Sequence, residues 1–429
     1  MQALRSISTS LFALLLSAAM ASAQTENIIH NFRGAPSDGQ RPTDTVIADK
    51  SGNLFGTTYY GGIGTCSDSI AAGCGIVFEL SPRTTGGYSE TILHQFRNDG
   101  KDGIYPAGGL VLDAAGNLYG TTAYGGNGVC SATAPTGCGV VFKLTRTTTG
   151  HWAETILHSF AGGADGQLPL ASLILDGAGH LFGTTNGNLG GCQHSSGACG
   201  TVFEISHTHG VWTEQVIHSF SNNNVDGYAP NGALILDKAG NLYGGTPWGG
   251  AFVDGTVFKL SPNSDGSWAE DLLYNSFFWK GLNGGGPSQL IFDASGNLLG
   301  VSSTGGTSYS GELLELTPAG SGPWNETALF DFNVYTNGAA PNAGLVFDSA
   351  GNLYGTTANG LGLNGPGTVF KLTPSSGGMW TVTTLHSFVG TNDGQVPGAG
   401  ILRDAAGNLF GTTSAGGSLG KGAVFMVKP

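Results

Sequence analysis

Gly116-Asn117-Leu118-Tyr119-Gly120-Thr121-Thr122 is the stretch that decides the fold, because versions of it return seven times along the chain. The copies begin at Gly52, Gly116, Gly179, Gly240, Gly296, Gly351 and Gly407, with successive gaps of 64, 63, 61, 56, 55 and 56 residues. Self-similarity at a near-constant period marks a repeat architecture, in which each unit buries its apolar face only by stacking on its neighbours.

Reading outward from that stretch, one complete unit spans residues 102–160. It opens with Asp102-Gly103 and Pro106, then runs Gly109-Leu110-Val111-Leu112-Asp113, a turn at Ala114-Ala115-Gly116, and the phrase itself to Thr122. A loop to Cys138 follows, then Val140-Val141-Phe142-Lys143-Leu144, a second turn, and Trp152 to Phe160. Short β-branched and aromatic runs separated by Gly, Asp and Asn clusters predict four strands joined by hairpins, here named A to D. No segment holds a helical period over three turns, so the class is all-β. A four-stranded antiparallel unit every 55–64 residues predicts a seven-bladed β-propeller. A stacked solenoid fits less well, because it would leave two open ends to cap.

Ring closure is legible too. Strand C recurs at Phe78, Phe142, Phe203, Phe258, Leu314, Phe370 and Phe425, and the sequence then reaches Pro429 without another D. At the other end, His30 and Phe32 occupy the places of His158 and Phe160. Residues 26–32 are therefore expected to complete the seventh blade, making residues 24–429 one propeller domain.

At these phrases the chain resembles the GloVer tandem-repeat family of secreted or surface bacterial proteins. The match is carried by Gly109 to Asp113, Gly116 to Thr122, Val141-Phe142-Lys143-Leu144, and Leu157-His158-Ser159-Phe160 with Asp165-Gly166. The resemblance covers residues 26–429 and implies a propeller-like repeat and export, with no activity attached. More distantly, strands A and B are similar to NHL repeats, virginiamycin B lyase and gluconolactonase-type propellers.

Residues 1–23 carry one charge, Arg5, an apolar run over Leu11 to Leu16, and Ala21-Ser22-Ala23, which predicts a signal peptide cut before Gln24. A membrane span needs ~20 apolar residues, and no later stretch qualifies. The expected location is secreted, periplasmic or at the cell surface. Net charge is −13 with only 10% of residues charged and no basic run, which argues against a nucleic-acid partner. Six cysteines fall as Cys66/Cys74, Cys130/Cys138 and Cys192/Cys199. Local pairing in an exported chain predicts three small-loop disulfides on the B–C loops, the spacing being wide for a zinc site.

Strand direction places the B–C and D–A loops together on one face. Asp38, Asp102, Asp165, Asp226 and Asp393 each precede a Gly there, with Pro three positions after it. They read either as turn formers or as a ring of carboxylates for a cation or sugar hydroxyls. Tyr60, Tyr124 and Trp248 follow strand B directly before Gly-Gly, while the third, sixth and seventh repeats differ at that place. Flat rings at a channel mouth either stack on sugars or pack over the neighbouring blade. His30, His94, His158, His218 and His386 share one place in strand D and read as structural hydrogen-bonding groups directed at the Thr-Thr pair of strand B. Trp152, Trp212, Trp268, Trp324 and Trp380 start strand D and read as packing.

The candidate ligand residues are thus Tyr60, Tyr124, Trp248, Asp102, Asp165 and Asp226, with no catalytic set, metal site or cofactor assigned. Strand A, innermost, offers Thr43, Asp44, Ser172, Asn231, Ser288, Gln289 and Asn342 as its polar residues, with one carboxylate among them. That is a poor calcium cage. His194 is the only rim histidine outside the repeat pattern. The expected function is a monomeric binding module for an extracellular glycan, peptide or envelope component. The alternative is a metal-dependent lyase or lactonase working from the same face.

Overall fold

The computed structural model describes residues 25–66, 71–130, 137–187, 199–276, 289–320, 322–341, 344–360, 362 and 365–429. Seven four-stranded antiparallel sheets form the propeller, and their consecutive strands pair in the order A-B-C-D. The seventh sheet joins strands 402–403, 409–413 and 423–428 to the N-terminal strand Thr25–Asn31. Its outer pair is antiparallel, with Asn27 opposite Met426 and Ile28 opposite Phe425. The N-terminal segment thus supplies the seventh strand D.

Strand B is the most deeply placed. All seven copies, from Leu54–Thr58 to Leu409–Thr413, are buried at each of their five positions. Its central Gly is required by packing, since a Cβ on Gly120 would stand 2.6 Å from Cζ of Phe142. The phenyl ring of strand C lies across the bare backbone of strand B, as it also does at Gly56/Phe78 and Gly183/Phe203.

Blade-to-blade contacts repeat with equal regularity. The Phe closing strand D meets the strand C Phe of the next blade edge to face, Phe96 on Phe142 at 5.2 Å and Phe160 on Phe203 at 5.1 Å. Across the seam between the seventh and first blades Phe32 meets Phe78 at 5.2 Å, so the ring closes with the same contact. Ser276 and Leu314 stand in these two places between the fourth and fifth blades, and both aromatics are lost together. The first Thr of strand B reaches strand A of the next blade: Thr121 Oγ1 donates to Ala171 O at 3.1 Å, and Thr412 Oγ1 to Asp44 O at 3.0 Å. The strand D Trp packs inward, Trp152 on Phe55 and Trp212 on Tyr119 of the preceding blade.

Disulfides Cys66–Cys74 and Cys130–Cys138 close two B–C loops as expected. Cys199 is also disulfide-bonded, while Cys192, its expected partner, and His194 lie outside the described residues. So do residues 1–24, which hold the predicted leader. Among the described residues no helix is long and apolar enough to cross a membrane.

Candidate functional site

The D–A and B–C loops share one face because they pair with each other. Gly39–Gln40 pairs with Tyr60–Gly61, Gly103–Ile104 with Tyr124–Gly125, and Gly227–Tyr228 with Trp248–Gly249. The Asp-Gly of each D–A loop makes this fit possible, since a Cβ on Gly103 would lie 2.4 Å from Thr122 Oγ1 in strand B. Each following Pro docks on the neighbouring blade, Pro106 over Gly75 and Pro169 over Gly139.

The three predicted aromatics have different surroundings. Tyr60 is only 3% exposed, enclosed by Tyr59 and by Tyr105, which stacks on Tyr59 at 4.8 Å. It packs over the neighbouring blade and offers no face to a ligand. Tyr124 is half-buried beside Tyr105. Trp248 is 55% exposed.

Exposed apolar side chains elsewhere follow the same geography. Of the thirteen exposed large hydrophobic residues described, all but Val211 and Met379 lie on D–A or B–C loops. The exposed aromatic residues among those described, Trp248, Phe252, Tyr309 and Tyr335, lie on the loops of the consecutive fourth and fifth blades and of the connection to the sixth. Phe252, Tyr309 and Tyr335 were not recognised from sequence, because they fall outside the repeated phrases.

The predicted Asp residues turn out to be junction groups. Asp102 Oδ2 accepts from Arg97 N at 2.9 Å, and Asp226 Oδ2 from Ser221 N at 2.9 Å, which closes each turn. Each also meets the strand D histidine. The expectation that these histidines reach the Thr-Thr hydroxyls is overturned: His158 Nε2 stands 3.1 Å from Asp165 Oδ1, and His386 Nε2 is 3.1 Å from Asp393 Oδ2. The Thr hydroxyls mostly bond elsewhere: Thr121 donates to Ala171 O of the next blade, while Thr122 and Thr246 donate to the carbonyls of Tyr124 and Trp248 in their own B–C loops.

A third group was missed altogether. Glu90, Glu154, Glu214 and Glu270, in strand D of the next blade, face these pairs, so that His30/Asp38/Glu90, His94/Asp102/Glu154, His158/Asp165/Glu214 and His218/Asp226/Glu270 each bring three ligand atoms within 4.8 Å of one another. The histidines of different blades do not converge, as expected, but each has two carboxyl groups supplied locally. Burial pushes Glu154 up to about 7 against the pull of His94, and burial likewise pushes Glu90, Glu214 and Glu270 up to about 7. Burial opposes charge on His94, but Asp102 and Glu154 outweigh it and hold its pKa above the ordinary value. An open pocket of about 470 Å³ leads to the second cluster, with Arg97, Asp99 and Lys101 on its outer wall.

In the channel, Asp44 is bound to its neighbours. Asp44 Oδ2 accepts from Ser172 Oγ and from Gly109 N, both at 2.6 Å, and Oδ1 accepts from Thr45 N. One carboxylate thereby ties the innermost strands of the first three blades together, and burial raises its pKa. Ser288 and Asn342 lie outside the described residues.

On the opposite face the strand A Asp residues act as turn formers: Asp113 accepts from Ala115 N, Asn117 N, Asn117 Nδ2 and Tyr119 Oη.

Comparison with known proteins places the repeat. A family model described as the Gloeobacter/Verrucomicrobia repeat matches residues 15–235, 127–270 and 237–429. No curated protein sequence matches the chain. A solved chain described as an ancestral GH74 enzyme superposes with a TM-score of 0.56 at 12% identity, covering 91% of this chain and 47% of its own length. The match therefore spans about half of that protein, and at this identity it speaks to the fold alone.

Proposed function

For this chain, which belongs to the Gloeobacter/Verrucomicrobia repeat family, we propose a binding module that holds an extracellular glycan or envelope component on its loop-bearing face. The observation that carries this reading is the uneven placement of exposed apolar surface. A turn-rich fold has no structural need to concentrate Trp248, Phe252, Tyr309 and Tyr335 in one sector of one face. Exposed aromatic rings in a cluster supply large contact area at low entropy cost, and they stack on the apolar faces of sugars.

Trp248 is the central contact in this reading and Tyr124 a lateral one. Tyr60, Asp102, Asp165 and Asp226 have an indirect part, holding the loops that present the contacts. Two disulfides, Cys66–Cys74 and Cys130–Cys138, support a location in an oxidising compartment outside the cytoplasm.

Pull-down of the purified chain on insoluble polysaccharides and peptidoglycan tests the reading. Trp248→Ala and Tyr335→Ala are expected to lower retention at least about tenfold, in line with the weight aromatic anchors carry in binding sites. Met379→Ala, on the opposite face, is expected to bind like wild type. Equal retention of all three variants, or retention of none of the materials by wild type, would remove the proposed site.

A further inference from the structure

We propose that the blade junctions built on His30, His94 and His218 are zinc sites, each formed by one imidazole and two carboxylates from adjacent blades. The spacing is the first reason. His30 Nε2 lies 3.5 Å from Asp38 Oδ2 and 3.6 Å from Glu90 Oε1. The corresponding distances are 3.3 and 3.5 Å at His94, and 3.6 and 3.6 Å at His218. Good N–H···O bonds measure ~2.7–3.2 Å, so these contacts are long for hydrogen bonds. Ligand atoms about 2.0–2.1 Å from a tetrahedral zinc ion stand about 3.3 Å apart, close to what is seen. His158 differs, having closed on Asp165 at 3.1 Å as an ordinary hydrogen bond.

Unpartnered buried atoms are the second reason. Asp102 Oδ1, Asp226 Oδ1, Glu90 Oε1, Glu154 Oε1 and the Nε2 atoms of His30 and His218 have no hydrogen-bond partner. The Asp102 and Asp226 side chains are only 9% and 8% exposed. Two carboxyl groups facing each other beside an imidazole need a cation or a proton between them.

A third reason comes from inside the repeat. Strand register puts Phe330 in the place of His158 and Val382 in the place of Glu154, while Asn337 closes its loop as Asp102 does. At that junction all three ligands are replaced, and at the one before it Tyr274 takes the His place although Glu326 keeps the Glu place, so zinc is expected at neither. One nitrogen and two oxygens suit zinc better than a hard cation, which prefers all-oxygen sets, and at the second cluster a pocket opens beside the ligands. The Arg97 and Lys101 charges at the mouth of the second cluster oppose a cation there, so that site sets the strictest test.

Full-length protein is loaded with zinc sulfate at pH 7.5, passed over a desalting column, and its zinc content read by mass spectrometry. About three ions per chain are expected from three such clusters, with a higher melting temperature than the chelator-treated protein. Glu154→Gln, which keeps size and shape, is expected to lose about one ion while melting cooperatively in chelator. No zinc uptake by wild type, or the same content in Glu154→Gln, would overturn the proposal and leave a shared proton as the occupant.

Discussion

Gly120 shows what one residue contributes to this fold. The ring of Phe142 occupies the volume where any side chain on residue 120 would go, with 2.6 Å between Cζ and a built Cβ. Both are fully buried in a close-packed region, so neither can move aside freely. Gly120→Ala is expected to destabilise by about 1–3 kcal/mol, the usual cost of overpacking a core. Gly116→Ala, in the exposed turn, meets no atom within 4 Å and suffers only from its φ of 84°. Chemical denaturation of the two variants separates steric from backbone cost. Equal midpoints for Gly120→Ala and wild type would show that Phe142 does not lie across this strand.

Among elements, the blade junction is where chemistry and stability meet. Burial holds the carboxyls of Glu26, Glu90, Glu154, Glu214 and Glu270 up at about 7, above their ordinary value of 4.5. The folded chain therefore keeps protons there that the unfolded chain has released. Stability from these groups is fully present below about pH 4.5 and is lost as pH rises through about 7. His94 and His218, whose pKa values are raised as well, act in the same direction. Asp38, Asp113 and Asp165 act the opposite way at the acid end, because their hydrogen bonds hold them below the ordinary value. In chelator, the melting temperature is expected to fall by several degrees between pH 5.5 and pH 8. A curve that is flat or rises over that interval would contradict buried carboxyls at the junctions.

Much of this element was readable beforehand, and the unread part has a physical cause. The four strands, their turns and the Asp-Gly loops follow from local phrases, because each is held by contacts within a few residues, as Asp113 is by Asn117. The His-Asp-Glu grouping joins residues sixty apart, His94 with Glu154, on two different blades. In the sequence Glu154 is merely a polar residue of a strand that alternates in burial. The signal that would have revealed it is the joint replacement of three repeat positions by Phe330, Asn337 and Val382. Trp248 was legible because it breaks a symmetric pattern, whereas Phe252, Tyr309 and Tyr335 sit in loops with no pattern to break.

For the molecule as a whole, everything follows from a ring that closes on itself. Closure gives every inner strand two neighbouring blades, leaves no blade short of its outer strand, and sorts the loops so that the aromatic sector gathers on one face. A cysteine pair placed across the seam measures this most directly. Asn27 and Met426 stand opposite each other in the antiparallel pair that joins the two ends of the chain. In the double variant Asn27→Cys, Met426→Cys, peptide mapping under non-reducing conditions is expected to find residue 27 bridged to residue 426 within one chain. A bridge between two chains, or both thiols left free while the native disulfides are intact, would contradict closure by the N-terminal strand and with it the assignment of the binding face.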